Sequence, residues 1–219
     1  YAGKLGNLSR AVQSFKRVTD MAPKDVAPYV ELANITMQND SLRDLRFAAE
    51  QLQSAVEKTG RKDDPKLLAA YVRLHLEQND LPKAKSKLSE LGAAAKDQPT
   101  YHYLAGQLAE RENLPKDATE SYQKALGINR FHIPSTVALY RVLMTAGEYL
   151  DAVDVMNAAI DLNAQRPAYW RMLGDAYMEL KMYDEAMGHY EIARELVMDE
   201  QKKAEYNELY REAERKFAQ

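Results

Sequence analysis

There is no cysteine among the 219 residues. That excludes disulfides, thiolate zinc sites and cysteine nucleophiles, and it fits the cytoplasm and an oxidising bacterial periplasm equally well. Glycine and proline are scarce, at nine and eight residues, too few for a loop-rich or low-complexity chain. No run approaches the about eighteen consecutive apolar residues that a membrane span requires, so direct membrane insertion by this segment is not expected. An excess of one charge sign is also missing. The 30 basic and 33 acidic residues are interspersed and the net charge is -3, which leaves no basic stripe to neutralise a phosphate backbone. Nucleic acid is not expected as a partner.

Chemical sites are equally sparse. His75 and His102 fall where a helical pattern wants large core residues, and His132 and His189 lie apart from them. No His-x-x-x-His pair or Asp-rich calcium loop occurs, so no metal site is expected. Gly3 and Gly6 are the nearest approach to a phosphate loop, and they lack the strand-loop-helix setting such loops need. The serines lack a nucleophile elbow, and the carboxylates are spread along helix surfaces as solvated faces or i,i+4 partners. The chain is therefore expected to have no catalytic residue and no cofactor.

What is present is helix-forming sequence, rich in Ala, Leu, Glu, Lys, Gln and Met, with 46% apolar and 29% charged residues. Its organisation is periodic: Ala84, Ala118, Ala152 and Ala186 are each 34 residues apart. Leu88 and Leu91, Tyr122 and Ala125, Met156 and Ala159, and Tyr190 and Ala193 follow at four and seven residues, placing each set on one helix face. Upstream in each unit a first helix steps by three, one and three. It reads Leu68, Tyr71, Val72, His75; then His102, Ala105, Gly106, Ala109; then Thr136, Leu139, Tyr140, Leu143; then Trp170, Leu173, Gly174, Tyr177. Neither helix of a unit can bury its stripe alone.

Trp170, Leu173, Gly174, Tyr177, Ala186, Tyr190 and Ala193, with Pro65, Pro99 and Pro167 recurring at unit starts, resemble the tetratricopeptide repeat signature. The resemblance runs from about Leu5 to Asp199. It implies an all-α fold, a right-handed α-solenoid of antiparallel helix pairs. The expected segments are 1–25 (a partial repeat, mainly its second helix, with its turn at Gly6 and Asn7), 26–64 (a repeat with insertions), 65–98, 99–132, 133–166 and 167–200 (regular repeats), and 201–219 (a capping helix). The insertions fall at Asn39 to Leu45 and at Thr59 to Asp64. Because the pattern opens inside a repeat, the array is expected to continue upstream. The last helix carries Tyr206, Leu209, Tyr210, Ala213 and Phe217 at helical spacing, without the small-residue slots of a further repeat.

The resemblance also implies a function, since first helices of this fold line a concave surface that grips a peptide or a helix. The lining slots are expected to hold Asn34, Met37, Arg73, Leu76, Tyr103, Gln107, Arg111, Arg141, Met144, Arg171, Asp175 and Met178. Arginine offers a planar fork to carboxylates and methionine repacks around irregular surfaces, so an acidic, partly apolar protein segment would suit this floor. The same residues read equally as ordinary exposed helix positions, and Met and Tyr as inter-repeat packing. The carboxylate clamp for chaperone tails is not expected: Asn34 and Arg73 match it, but Val30, Ala69, Tyr103 and Val137 replace its other polar groups. Two roles follow from the resemblance. One is a non-catalytic scaffold or adaptor, with a bacterial envelope, secretion or exopolysaccharide-export assembly as its setting and self-association through an exposed end as an option. The other is the targeting module of a larger enzyme whose catalytic domain lies outside this chain.

Overall fold

The computed structural model describes residues 2–38 and 43–219, with side chains from residue 9 onward. Over those residues the chain is all-α: α1 (Ala2–Met21), α2 (Ala27–Gln38), α3 (Leu45–Thr59), α4 (Pro65–Glu77), α5 (Leu81–Ala95), α6 (Pro99–Arg111), α7 (Pro115–Ile128), α8 (Ile133–Ala146), α9 (Tyr149–Leu162), α10 (Pro167–Glu179), α11 (Tyr183–Leu196) and α12 (Glu200–Phe217). They gather into two compact units, Tyr1–Ser121 and Tyr122–Gln219, with the division inside α7. The turn expected at Gly6 and Asn7 is not there, because α1 runs through both positions. One helical glycine costs only about 1 kcal/mol relative to alanine and asparagine costs less, so such residues weaken a helix without ending it. The insertion expected at Asn39 to Leu45 lies, over residues 39–42, outside the described residues.

Helix starts follow local chemistry. Asp44, Asp64, Asp80 and Asp199 each cap a helix by accepting a hydrogen bond from a backbone N–H in its first turn. Pro65, Pro99 and Pro167 sit at the first position of α4, α6 and α10, where a missing N–H costs nothing. The turns inside the units repeat in phase. Asn79, Asn113, Gly147 and Lys181, again 34 residues apart, all take the left-handed conformation, with φ of 56, 59, 78 and 60°. The next residue in each case closes the turn onto the carbonyl five before it: Asp80 N–H to His75, Leu114 to Ala109, Glu148 to Leu143 and Met182 to Tyr177, at 2.8–2.9 Å. This is the Schellman closure, which satisfies carbonyls left over at a helix end. It reverses the chain the same way in each unit, and so lays each second helix back along its first.

The helices carry two apolar faces where they are sandwiched. On α4, Leu67, Ala70 and Leu74 pack against Tyr29, Ala33, Ala48, Leu52 and Ala55 of α2 and α3. Leu68, Ala69, Val72 and Leu76 turn the other way, onto Ala84, Leu88, Leu91, Leu104 and Leu108 of α5 and α6. One helix thereby belongs to two successive cores, and a stack of hairpins grows from it. The repeated alanines Ala84, Ala118, Ala152 and Ala186 are fully buried, which is what close approach of paired helices demands. In the second unit, Ala213 of α12 sits with Ala186 and Tyr190 of α11, and Tyr206 with Ala193 and Val197. Ala213 thus fills a small-residue slot that the sequence reading did not credit to the last helix. Phe217, expected on its apolar face, is exposed.

Candidate protein-interaction surface

In the first unit α2, α4 and α6 lie side by side, and the first of the expected lining residues meet across them. Arg73 on α4 donates from Nη1 to Asn34 Oδ1 on α2 at 3.2 Å. Burial holds its guanidinium below the usual arginine range, against the opposing pull of Tyr103 and Glu31. On α6, Gln107 donates to the Tyr103 hydroxyl at 3.1 Å, the i,i+4 step that brings two side chains onto one face. Arg111 reaches back to α4, donating to the Leu76 carbonyl at 2.8 Å with its other nitrogen 3.8 Å from Glu77. The same Glu77 pairs with Arg43 at 2.8 Å. Arg43, Glu77 and Arg111 are each 34 residues apart, so one carboxylate is held between guanidinium groups from the repeats on either side. The sequence reading missed Arg43 and Glu77, although their spacing and alternating charge were there to find them.

Two expected members belong elsewhere. Met37 and Leu76 are core residues, 4% exposed each. Met37 follows Ala33 by one turn, and Leu76 follows Leu68 and Val72 by two and one, so each continues the buried stripe of its helix. The histidines depart from expectation in the other direction. His75 and His102 are half-buried, not core. His75 stacks on Tyr71 and contacts Gln78 at 3.2 Å, beside an open cleft of about 650 Å³ between α3 and α4. Burial lowers its pKa.

In the second unit the expected residues form a second polar group. Asp175 on α10 accepts from Arg171 one turn earlier and from the Tyr190 hydroxyl of α11 at 3.0 Å. Burial raises its pKa above the usual carboxylate range, with Arg171 and the Tyr190 hydrogen bond acting in the opposite sense. Tyr140 of α8 donates to the Met172 carbonyl of α10 at 2.7 Å, tying the two first helices together. Burial pushes the phenols of Tyr140 and Tyr190 upward, so both remain hydrogen-bond donors across the ordinary pH range. Met178 is half-buried against the Ala186, Tyr190 and Ala213 core, Met144 is half-buried, and Arg141 is exposed on α8.

Of the arginines expected as cations, Arg73, Arg111 and Arg171 are therefore engaged by acceptors within the chain. What the surfaces offer is a set of oriented polar groups, in which the arginine forks keep donors beyond those already used. Among the described residues no three His, Asp or Glu side chains converge as a metal site. No described helix is long and apolar enough to cross a membrane.

Stacked antiparallel hairpins with a recurring buried alanine, a recurring left-handed turn and polar first-helix faces define a helical-repeat solenoid. The tetratricopeptide repeat family matches residues 70–132 and 137–200, more than half of the chain, and the chain belongs to that family. Solved structures agree in fold. The protein is similar to YrrB, a TPR protein with an unusual peptide-binding site, at 16% identity over 90% of this chain and 99% of that one, with a TM-score of 0.55. It is similar to yeast Tom70 at 15% identity over 93% of this chain and 42% of that one, with a TM-score of 0.73. It is similar to TTC0263, a thermophilic TPR protein of Thermus thermophilus, at 17% identity over 84% of this chain and 98% of that one, with a TM-score of 0.62. Repeats of this family indicate a protein-protein interaction scaffold in general terms.

Proposed function

We propose that this chain is a non-catalytic scaffold that holds a peptide or helix of another protein against the outward faces of its first helices. The observation that carries the reading is the orientation of the polar groups on those faces. Asn34 with Arg73, Tyr103 with Gln107, and Arg171 with Asp175 are each fixed by a hydrogen bond inside the chain before any partner arrives. Side chains ordered in advance lose little freedom on binding, which is how a surface of moderate area gains affinity and specificity. Half-buried Met144 and Met178 add adaptable apolar contact beside them.

The test is capture of partner proteins from a native extract by the wild-type chain and by a Gln107→Ala, Arg141→Glu variant of unchanged helicity. The expected result is a partner whose recovery falls about tenfold or more in the variant, as truncating central interface residues does. Equal recovery by both chains would move the interface off the first-helix faces. The captured protein also names the setting. A component of a bacterial secretion or exopolysaccharide-export assembly fits the adaptor role, and a catalytic domain joined to the same polypeptide fits the targeting role.

A further inference from the structure

The second unit carries an exposed apolar surface that meets the expected lining residues only at Val137 and Arg141. Around the turn from α7 to α8, Ile128, Phe131, Ile133 and Val137 are 46, 59, 37 and 40% exposed. Four large apolar side chains exposed within ten residues form a patch, unlike a single exposed leucine, which needs no explanation. Their placement is directional. Ile133 and Val137 are one turn apart on α8, and exposed Arg141 is the next residue of that row. At about 1.5 Å per residue the row runs roughly 12 Å along the helix axis. Arg130 lies over the Phe131 ring at 5.2 Å, setting a cation directly against the apolar cluster.

The charge of the segment that carries the patch is one-sided. From Ser121 to Gly147 the chain has no Asp or Glu, the longest such interval in a protein with 33 acidic residues and a net charge of -3. The charged residues inside it are Lys124, Arg130 and Arg141, all basic. An apolar patch whose own segment carries only basic charge, with Arg130 set over Phe131, disfavours basic partners by repulsion and attracts acidic ones.

We infer that the α7–α8 turn and the outward row of α8 form a docking site for a protein segment that carries large apolar side chains next to Asp or Glu. Resting on the scaffold reading above, the inference gives it a place and a partner chemistry. Phe131 and Ile133 are the apolar anchors, Val137 extends them along α8, and Arg130 and Arg141 receive the carboxylates at either end. A row running along a helix axis fits a rod-like peptide or helix better than a plane, which favours a protein segment over an anionic membrane surface.

A display library of random 12-residue peptides, selected on the full chain, supplies the probe. Enriched peptides are expected to pair Asp or Glu with Leu, Phe or Trp. Fluorescence anisotropy of a labelled winner is expected to show Kd rising at least about tenfold for Phe131→Ser, Ile133→Ser, and several-fold for Arg130→Ala. Leu150→Ser, another exposed apolar position in the same unit, should leave Kd unchanged. Winners that are basic, or that bind the Phe131→Ser, Ile133→Ser chain as tightly as wild type, would overturn the inference. So would co-sedimentation with phosphatidylserine vesicles that depends on Phe131 when no acidic peptide is enriched. Partner capture that falls for Gln107→Ala alone, with Arg141 intact, would in either case leave the scaffold reading standing; loss of both results would remove the two together.

Discussion

Gly174 shows what a single residue decides. A Cβ built there would lie 2.6 Å from Cε1 of Tyr190, a distance real Cβ atoms do not adopt, so the ring of α11 rests directly on the backbone of α10. The contact matters twice, because that ring's hydroxyl also holds Asp175. Gly174→Ala is expected to lower stability by about 1 to 3 kcal/mol, the usual range for overpacking. Gly188, inside α11 with open space around its Cβ position, is the control. Gly188→Ala is expected to raise stability by about 0.5 to 1 kcal/mol through helix propensity alone. Urea midpoints of the two variants check both signs. Lys181 illustrates the opposite case. It takes the left-handed turn conformation that Asn79, Asn113 and Gly147 occupy in the other repeats, at a cost of roughly 1 to 2 kcal/mol for a residue with a full side chain.

At the scale of elements, α12 is the one whose removal separates a stacked array from a single core. It buries Tyr206 and Ala213 against Ala186, Tyr190, Ala193 and Val197 of the preceding hairpin and its exit, and Leu209 packs at both contacts. Truncation after Val197 is expected to raise amide hydrogen exchange first in α10 and α11, while α4, α5 and α6, whose core of Leu68, Val72, Leu88 and Leu104 has no member from α12, keep their protection. Simultaneous loss throughout the chain would contradict the nearest-neighbour arrangement. Helix α4 explains the expected behaviour, since each of its two faces answers to a different neighbour and neither reaches further.

Across the whole molecule, acid is expected to act on both units, because each holds a histidine whose pKa burial lowers. His75 stands on Tyr71 in the first. His189 lies between the Trp170 and Tyr177 rings in the second, at 5.7 and 5.1 Å, with Nδ1 buried and no hydrogen-bond partner for it. A lowered folded-state pKa means that the unfolded chain takes up protons first as pH falls. Stability should therefore decline from about pH 7 downward through the unfolded value near 6.5 and level off below the folded values. Asp175, whose pKa is raised, acts with the opposite sign at lower pH. Unfolding midpoints at about pH 7.5 and 5.5, compared with those of a His75→Gln, His189→Gln chain, check the direction, and the variant should show the flatter profile.

The hairpin architecture was legible in the sequence because it is local and repeated. Ala84, Ala118, Ala152 and Ala186 fall on one helix face whatever surrounds them, and four copies in phase leave few other ways to bury that face. The prolines and aspartates that start the helices act through their own backbone and needed no tertiary knowledge. The surface was less legible. Helical spacing places Met37 and Leu76 within one turn of lining slots, yet whether such a residue faces a groove or the next core depends on where the neighbouring helix lies. The arginines posed the same difficulty, since a charge along a sequence does not say that Asn34, the Leu76 carbonyl or Asp175 waits one helix or one turn away. The sequence by itself determined the repeat, the helices and their buried faces, because those follow from periodicity and local backbone chemistry. Only the tertiary structure decided which polar side chains hold each other, that Glu77 is shared by two repeats, and that Phe131, Ile133 and Val137 stay uncovered, because exposure and pairing depend on residues far apart in the chain.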